Sequence, residues 1–381
     1  MNGQWIGDSL GTISGLVMLN LDLKAESYEG RITLLNDALD RVSIVAQVKI
    51  NKNKLNVVTG KFSGELFNIL PINNRSVVNW KEFLKISEEQ ISKTGEINGC
   101  LKGEAVNGTW NTDKGYKGEF RLNFKSSHKP SDYPSKEISW EEFKDEVSKN
   151  IQYKKCIFRG QAGGKRCRLR TLYHRTGRAD LNRYRKEDVP ILYRYISAFP
   201  NCRFDLSKRG ELGALLALAQ HHGYPTPLLD WTLSPYVAVY FAYADVTKED
   251  RDKKDEFVRI FIFDVDSWVK KKKYSSSLSA PLPTFTYLMP LSIGNNRMLP
   301  QQSVTMFSNI DDIESYIKFC EGLDRCTYLR IYDLPVRERT TVMQDLDYMG
   351  ITAGSLFPGL DGTCKALKEK YFKISGNVDD V

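Results

Sequence analysis

The stretch Gln220-His-His-Gly-Tyr-Pro-Thr-Pro-Leu-Leu-Asp-Trp-Thr-Leu-Ser-Pro235 closes one helix, turns, and opens another. Upstream of it, Leu212, Leu215, Leu216 and Ala219 recur at helical spacing over 211–221. They form an apolar stripe that must face a core. Downstream, Ser234-Pro235 is a helix start, with serine as the cap and proline at the first helical position. That helix runs on through Val237, Tyr240, Phe241 and Ala244, and the segment between the two helices reads as a loop. Further out, Ser139-Trp-Glu-Glu142 has the spacing of a capping box and opens a helix. Cys156-Ile-Phe158 reads as a short buried strand, and Arg259-Ile-Phe-Ile-Phe-Asp264 and Thr327-Tyr-Leu-Arg-Ile-Tyr332 as two more. Helices are predicted near 311–321, 336–348 and 362–371. This half is α+β, a mixed sheet with surrounding helices.

Residues 1–125 follow another period. In Val42-Ser-Ile-Val-Ala-Gln-Val-Lys-Ile50 the apolar residues fall at alternate positions, as a half-buried strand requires. Segments 15–23 and 30–35 look similar, and 95–105 alternates with glycines interleaved, which marks bulges or barrel corners. Strand-like pieces recur between turns such as Asn51-Lys-Asn-Lys54, with one helix expected near 80–92. The pattern predicts an all-β barrel or sandwich with Trp5 and Trp110 plugging it. Ser126-Ser-His-Lys-Pro-Ser-Asp-Tyr-Pro-Ser-Lys136 has two prolines and no periodicity, so 126–137 reads as a linker with few contacts crossing it. The expected layout is a β sensor or docking domain at 1–125, the linker, and a second domain at 138–381.

The chain has 381 residues, and two domains suit that length. With 41% hydrophobic and 27% charged residues it is neither disordered nor fibrous. Mean hydropathy is -0.40, and no stretch reaches the roughly 18 apolar residues of a membrane helix. The start, Met1-Asn-Gly-Gln-Trp-Ile-Gly-Asp, lacks a basic region before an apolar run, so a cytoplasmic location without a membrane partner is expected. Seven cysteines without CxxC spacing read as reduced, mostly buried thiols. The net charge of +8 favours polyanions such as nucleic acid or NAD without identifying a nucleic-acid binder.

Polar chemistry concentrates in two places. Phe158-Arg159-Gly160-Gln161 ends a strand and enters the glycine-rich run Gly160-Gln-Ala-Gly-Gly-Lys165. An arginine there can fork onto phosphate or carboxylate, or simply brace a turn. The run matches neither GxxxxGK[ST] nor GxGxxG. Lys165, Arg166, Arg168, Arg170, His174, Arg175 and Arg178 follow as a dense basic stretch, either a solvated face or an anion cleft. The second place is the opening stretch, with His221, His222, Asp230, Thr226, Thr232 and Ser234. Adjacent histidines on a helix point about 100° apart, which disfavours a shared metal, and no metal is expected. Asp230 is either an acid at work or a lock for its own loop. Ser234 is better used as a helix cap than in a Ser/His/Asp triad with His221 and Asp230, because no GxSxG elbow is present.

Phe158-Arg-Gly-Gln161, Leu169-Arg-Thr-Leu-Tyr-His-Arg175 and the run from Gln220 to Ala242 together resemble the FRG domain family, named for its Phe-Arg-Gly motif. Asn296-Arg-Met-Leu-Pro-Gln-Gln302 and Ile351-Thr-Ala-Gly-Ser-Leu-Phe-Pro-Gly-Leu-Asp-Gly362 are similar to the family's later motifs, in the same order. The resemblance spans roughly 138–373 and leaves 1–125 unassigned. More distantly, the layout is similar to the ADP-ribosyltransferase fold. That similarity implies an NAD-using effector acting on nucleic acid or protein, regulated by the N-terminal domain, of the kind found in bacterial or phage conflict. The alternative is a non-catalytic module for nucleotide, nucleic acid or protein.

By position Arg159 would be the first transferase motif, Thr232 or Ser234 the second and Gln301 the third. The third motif normally carries a glutamate, and a glutamine can bond a ribose but brings no charge. Asp230 would then supply the charge or orient His221. The implied catalytic set is Arg159, Asp230, His221 and Gln301. The implied NAD-binding set is Arg159, Gly160, Gln161, Thr226, Thr232 and Ser234. All are expected to line one cleft.

Overall fold

A computed structural model of the chain describes residues 1–12, 14–36, 43–51, 57–63, 94–124, 127–150, 155–246, 256–272, 278 and 283–373. The helix expected at 80–92 lies outside the described residues. The N-terminal half is a closed barrel of eight strands in sequence order, each paired antiparallel with the next. They are β1 (Gly3–Gly11), β2 (Gly15–Lys24), β3 (Ser27–Asn36), β4 (Ser43–Asn51), β5 (Val57–Ser63), β6 (Thr94–Lys102), β7 (Ala105–Thr112) and β8 (Lys117–Phe124). Closure comes from β1 on β8, where Trp5 lies opposite Phe124 and Gly11 opposite Gly118. Closing the sheet removes the unpaired edges an open sheet would expose. Alternate residues Val17, Leu19 and Leu21, with Ala46, Val48, Ile50, Val106 and Leu122, fill the interior. Trp5 is buried among them, and Trp110 is half-buried with its indole N–H donating to Ser9 Oγ at 2.9 Å.

The second half is built on a seven-stranded sheet in the order β13-β14-β11-β10-β12-β15-β9. Its strands are β9 (Lys136–Glu137), β10 (Cys156–Ala162), β11 (Leu228–Thr232), β12 (Phe257–Asp264), β13 (Phe285–Leu288), β14 (Ser303–Ser308) and β15 (Leu329–Pro335). Among the described strands of this sheet, only β9 on β15 is parallel. The main helices are α1 (Trp140–Asn150), α2 (Val189–Ile196), α3 (Arg209–His221), α4 (Pro235–Ala244), α5 (Val265–Lys271), α6 (Ile313–Asp324), α7 (Arg339–Tyr348) and α8 (Leu360–Lys368). The capping box forms: Ser139 Oγ accepts from Glu142 N at 3.2 Å, and Glu142 accepts from Ser139 N at 2.8 Å. Ser234 caps α4, accepting from Val237 N at 3.3 Å. The 228–232 segment, read from sequence as part of a loop, is the strand β11. Four of its five residues are buried, and its backbone pairs with β14 from Leu228↔Phe307 to Thr232↔Ser303.

Two cores flank the sheet. One holds Phe158, Val258, Ile260 and Ile262 under α1, α4 and α7. The other holds Ile157, Leu229, Trp231, Phe261 and Phe263 under α5 and α6. A third forms around α3.

The halves are joined by more than a tether. The outward face of β1–β3 is buried: Gln4, Met18, Asn20, Asp22 and Thr33 are all covered. Asp22, 1% exposed, accepts from Arg178 Nε at 3.0 Å, Ala179 N at 2.7 Å and Asp180 N at 3.2 Å. Gln4 donates to the Asn309 carbonyl at 2.8 Å and accepts from Asp311 N at 3.0 Å. The 127–137 stretch lies along the second half rather than spanning a gap. Ser127 donates to Asp311 at 2.8 Å and Ser131 to Glu314 at 2.6 Å, and Tyr133 is buried with its hydroxyl on Glu321. The expectation of few crossing contacts therefore fails, because each half supplies the polar partners the other buries.

All seven cysteines are free. Cys156, Cys202 and Cys320 are buried, Cys167 and Cys326 intermediate, and Cys100 and Cys364 exposed. Among the described residues no helix is long and apolar enough to cross a membrane.

Candidate functional site

The sheet parts between β10 and β11. Those strands share a single ladder pair, Phe158↔Thr232, whereas β10 pairs with β12 along its whole length. Continuing that register sets Arg159 opposite Trp231, on the face of Ile157 and Phe261. The Arg159 guanidinium spans the gap, donating from one terminal nitrogen to the Asp230 carbonyl at 2.6 Å. Burial pushes its pKa down to about 10, against the opposing pull of Asp230, and Arg175 lowers it further. Arg159 makes no ion pair among the described residues. Its Nε is buried without a partner, and so are the Gln161 Oε1 two residues on and the Trp231 indole nitrogen. All three side chains belong to the same sheet face by strand alternation. Cys167 lies in electrostatic reach of Arg159, Arg175 and Arg259, yet burial raises its thiol pKa above the usual value.

Gly160 has a different reason to be glycine. A Cβ there would sit 1.8 Å from the Ala238 carbonyl and 3.0 Å from Ala242 Cβ, so the residue lets α4 lie directly on β10. The Phe-Arg-Gly motif thus combines a core aromatic, a polar side chain at the parting and a helix contact.

Asp230 projects to the opposite face, with Leu228 and Thr232. Its carboxylate accepts from the Gln220 amide at 3.2 Å, and Thr226 donates to the same glutamine at 2.5 Å. His221 is not oriented by Asp230. Its Nδ1 faces Asn295 Oδ1 at 3.0 Å, and Arg297 donates to its carbonyl at 2.7 Å. The neighbouring helical positions 220 and 221 send their side chains to different partners, as the 100° step dictates. Thr232 donates to the Gln301 carbonyl at 2.8 Å and accepts from Ser234 N at 3.1 Å. The Gln301 amide donates to the Leu356 carbonyl at 3.0 Å, tying the two later motifs together.

The candidate residues therefore fall into three linked groups. Arg159 and Gln161 line one face, Asp230 and Thr226 meet through Gln220 on the other, and Thr232, Ser234 and Gln301 form a knot at the end of β11. Ser234 serves as a cap, so Ser234, His221 and Asp230 assemble no triad. Trp231, Gln220 and Asn295 escaped the sequence-level site list; each earns its place through a partner, or the lack of one, that only the folded chain displays.

The basic stretch is largely ion-paired rather than an open anion cleft, and Lys165, Arg166 and Arg175 remain exposed, as on a solvated face. Arg168 forks onto Asp312 at 2.9 Å, Arg170 pairs with Asp311, Arg178 forks onto Asp188 at 2.8 Å, Arg166 meets Glu256 at 2.6 Å and Lys165 meets Glu137 at 3.3 Å. His174 is buried, its Nδ1 against Thr171 Oγ1 at 2.7 Å. Acidic partners from outside the stretch thus pair Lys165, Arg166, Arg168, Arg170 and Arg178. Among the described residues no group of three or more His, Cys, Asp or Glu side chains could hold a metal ion.

No curated protein and no solved structure matches the chain. The barrel has no family match. Residues 154–251, the segment that supplies β10, α3, β11 and α4, match the family model of the FRG domain, and the chain carries an FRG domain.

Proposed function

We propose that the FRG domain is a nucleotide-binding module of ADP-ribosyltransferase type, with NAD as its ligand. One observation carries the reading. Three buried polar atoms without protein partners, Arg159 Nε, Gln161 Oε1 and Trp231 Nε1, share one sheet face where β10 and β11 part. Buried polar groups are satisfied by protein, water or ligand. An arginine without a carboxylate partner, beside an indole N–H and an amide oxygen, offers charge and mixed hydrogen bonding, which suits a phosphate-bearing nucleotide. NAD would supply an activated ribose whose bond to nicotinamide is broken in transfer. Arg159 holds its anionic part and Gln161 accepts a hydroxyl, while Asp230, whose charge acts on Arg159 from the other side of the sheet, offsets positive charge developing on a sugar at the parting.

A second reading, binding without turnover, is favoured by the Gln301 amide and the Asp230 carboxylate, both already engaged within the protein. Titration of the full chain with NAD, followed calorimetrically, and release of nicotinamide in the presence of mixed DNA, RNA and protein acceptors separate the two. Binding that Arg159→Met abolishes, with nicotinamide release that Asp230→Asn abolishes, is expected. Binding without release supports the second reading, and no binding overturns both.

A further inference from the structure

We propose that Asn295 is a positioning residue for His221, holding its ring as the Nδ1–H tautomer so that Nε2 is presented as a proton acceptor. Use of that acceptor in transfer rests on the function proposed above; the tautomer itself does not. Asn295 is 4% exposed and fixed at both ends of its own backbone, its N–H donating to Ser292 O at 3.2 Å and its carbonyl accepting from Met298 N at 3.4 Å. Its side-chain oxygen lies 3.0 Å from His221 Nδ1. An amide oxygen only accepts, so Nδ1 carries the proton and Nε2 the lone pair.

The rest of the surroundings hold the end of the helix rather than the ring. Arg297 donates to the His221 carbonyl at 2.7 Å, pinning the end of α3, and the same guanidinium lies 5.5 Å from the centre of the Phe357 ring. Nε2 itself has no protein partner among the described residues. His221 directly follows Gln220, whose amide holds Asp230, so the base is carried by the same helix end as the acid's partner. The Asn–His pairing is the orienting arrangement that lets an imidazole take a proton from a nucleophile. In transfer, the proton of an acceptor hydroxyl goes to His221 Nε2 while the oxygen's electron pair forms the bond to the ribose carbon. The pair of the broken glycosidic bond leaves with nicotinamide.

The chain has four histidines, so long-range ¹⁵N–¹H spectra of histidine-labelled protein at neutral pH are tractable, with His221→Gln assigning the resonance. The expected result is an unprotonated Nε2 and a protonated Nδ1 at His221. Asn295→Ala should shift the ring toward the Nε2–H form, and Asn295→Asp, which keeps an acceptor oxygen, should restore Nδ1–H. Backbone amide spectra confirm that each variant folds. A protonated Nε2 in the parent protein, or a tautomer unmoved by Asn295→Ala, overturns the proposal. Where nicotinamide release is detected, Asn295→Ala should lower it about tenfold or more with unchanged NAD affinity. Absent release with the tautomer as stated counts against the transferase reading and leaves the Asn295 assignment standing.

Discussion

Arg159 and Arg259 stand on adjacent strands of one sheet and on the same face, since Gln161 pairs with Arg259 and Arg159 with Phe261. Arg259 is 0% exposed and forks onto Asp333 at 2.8 Å through Nε and a terminal nitrogen. Arg159 holds a single carbonyl and leaves Nε unpartnered. The first is a closed pair that the fold completes by itself. The second is a cation placed in a low-dielectric setting with part of its hydrogen bonding unspent, the condition that favours an incoming anion. Sequence composition treats the two alike, and their partners separate them.

The comparison breaks most visibly at Arg259. Arg259→Ala leaves the Asp333 carboxylate buried and alone, and a loss of about 3–5 kcal/mol is expected by denaturant unfolding. The double change Arg259→Met with Asp333→Leu should recover most of it. A single variant as stable as the parent would show that the pair does no structural work.

His174 is another buried group with an unpartnered atom, and here the readout is pH. Burial lowers its pKa from 6.5 to about 4, against the pull of Asp311, and its Nε2 has no partner. Between those values the unfolded chain binds a proton that the folded chain refuses, so stability falls as pH drops through that window. The gap corresponds to about 3 kcal/mol between pH 7 and pH 4. His174→Gln should remove that part of the slope, and unfolding midpoints of the two proteins running parallel over this range would refute it.

Gly160→Ala tests whether the glycine of the motif serves the helix or the ligand. The clash with the Ala238 carbonyl predicts a loss of about 1–3 kcal/mol. An unchanged stability with lost NAD binding would move Gly160 to the ligand's side. The smallest expected effect on folding is at Arg159 itself. Arg159→Met removes an uncompensated buried charge and should change stability by less than about 1 kcal/mol while abolishing anion binding. A cost as large as that of Arg259→Ala would place both arginines in the same structural role.

Much of the fold was legible from local pattern. Period-2 apolar runs located the barrel strands, and Ser139, Ser234 and Pro235 marked helix starts because caps satisfy backbone groups locally. The Phe158-Arg-Gly-Gln161 motif, read from sequence as the end of a strand, lies inside one, because β12 pairs with β10 as far as Ala162. Three further features were not legible. The 228–232 segment is a strand because β14, more than 70 residues downstream in sequence, offers it a ladder. Most of the basic stretch is paired by Glu137, Asp188, Glu256, Asp311 and Asp312, none of them within it. The tie of the barrel to the second half rests on Asp22 and Gln4, polar residues on the outward face of strands, which sequence reads as solvent-facing.

What the sequence by itself determined about this protein is the class of each half and the position of its polar motifs, because periodicity, capping and glycine placement act within a few residues. Which polar groups are satisfied and which are left over was decided only by the tertiary structure. Arg159 and Arg259, His221 and Asn295, and Asp22 with the 178–180 backbone are defined by pairings across tens to hundreds of residues. A hydrogen bond or ion pair depends on ångström-scale approach that no local pattern encodes.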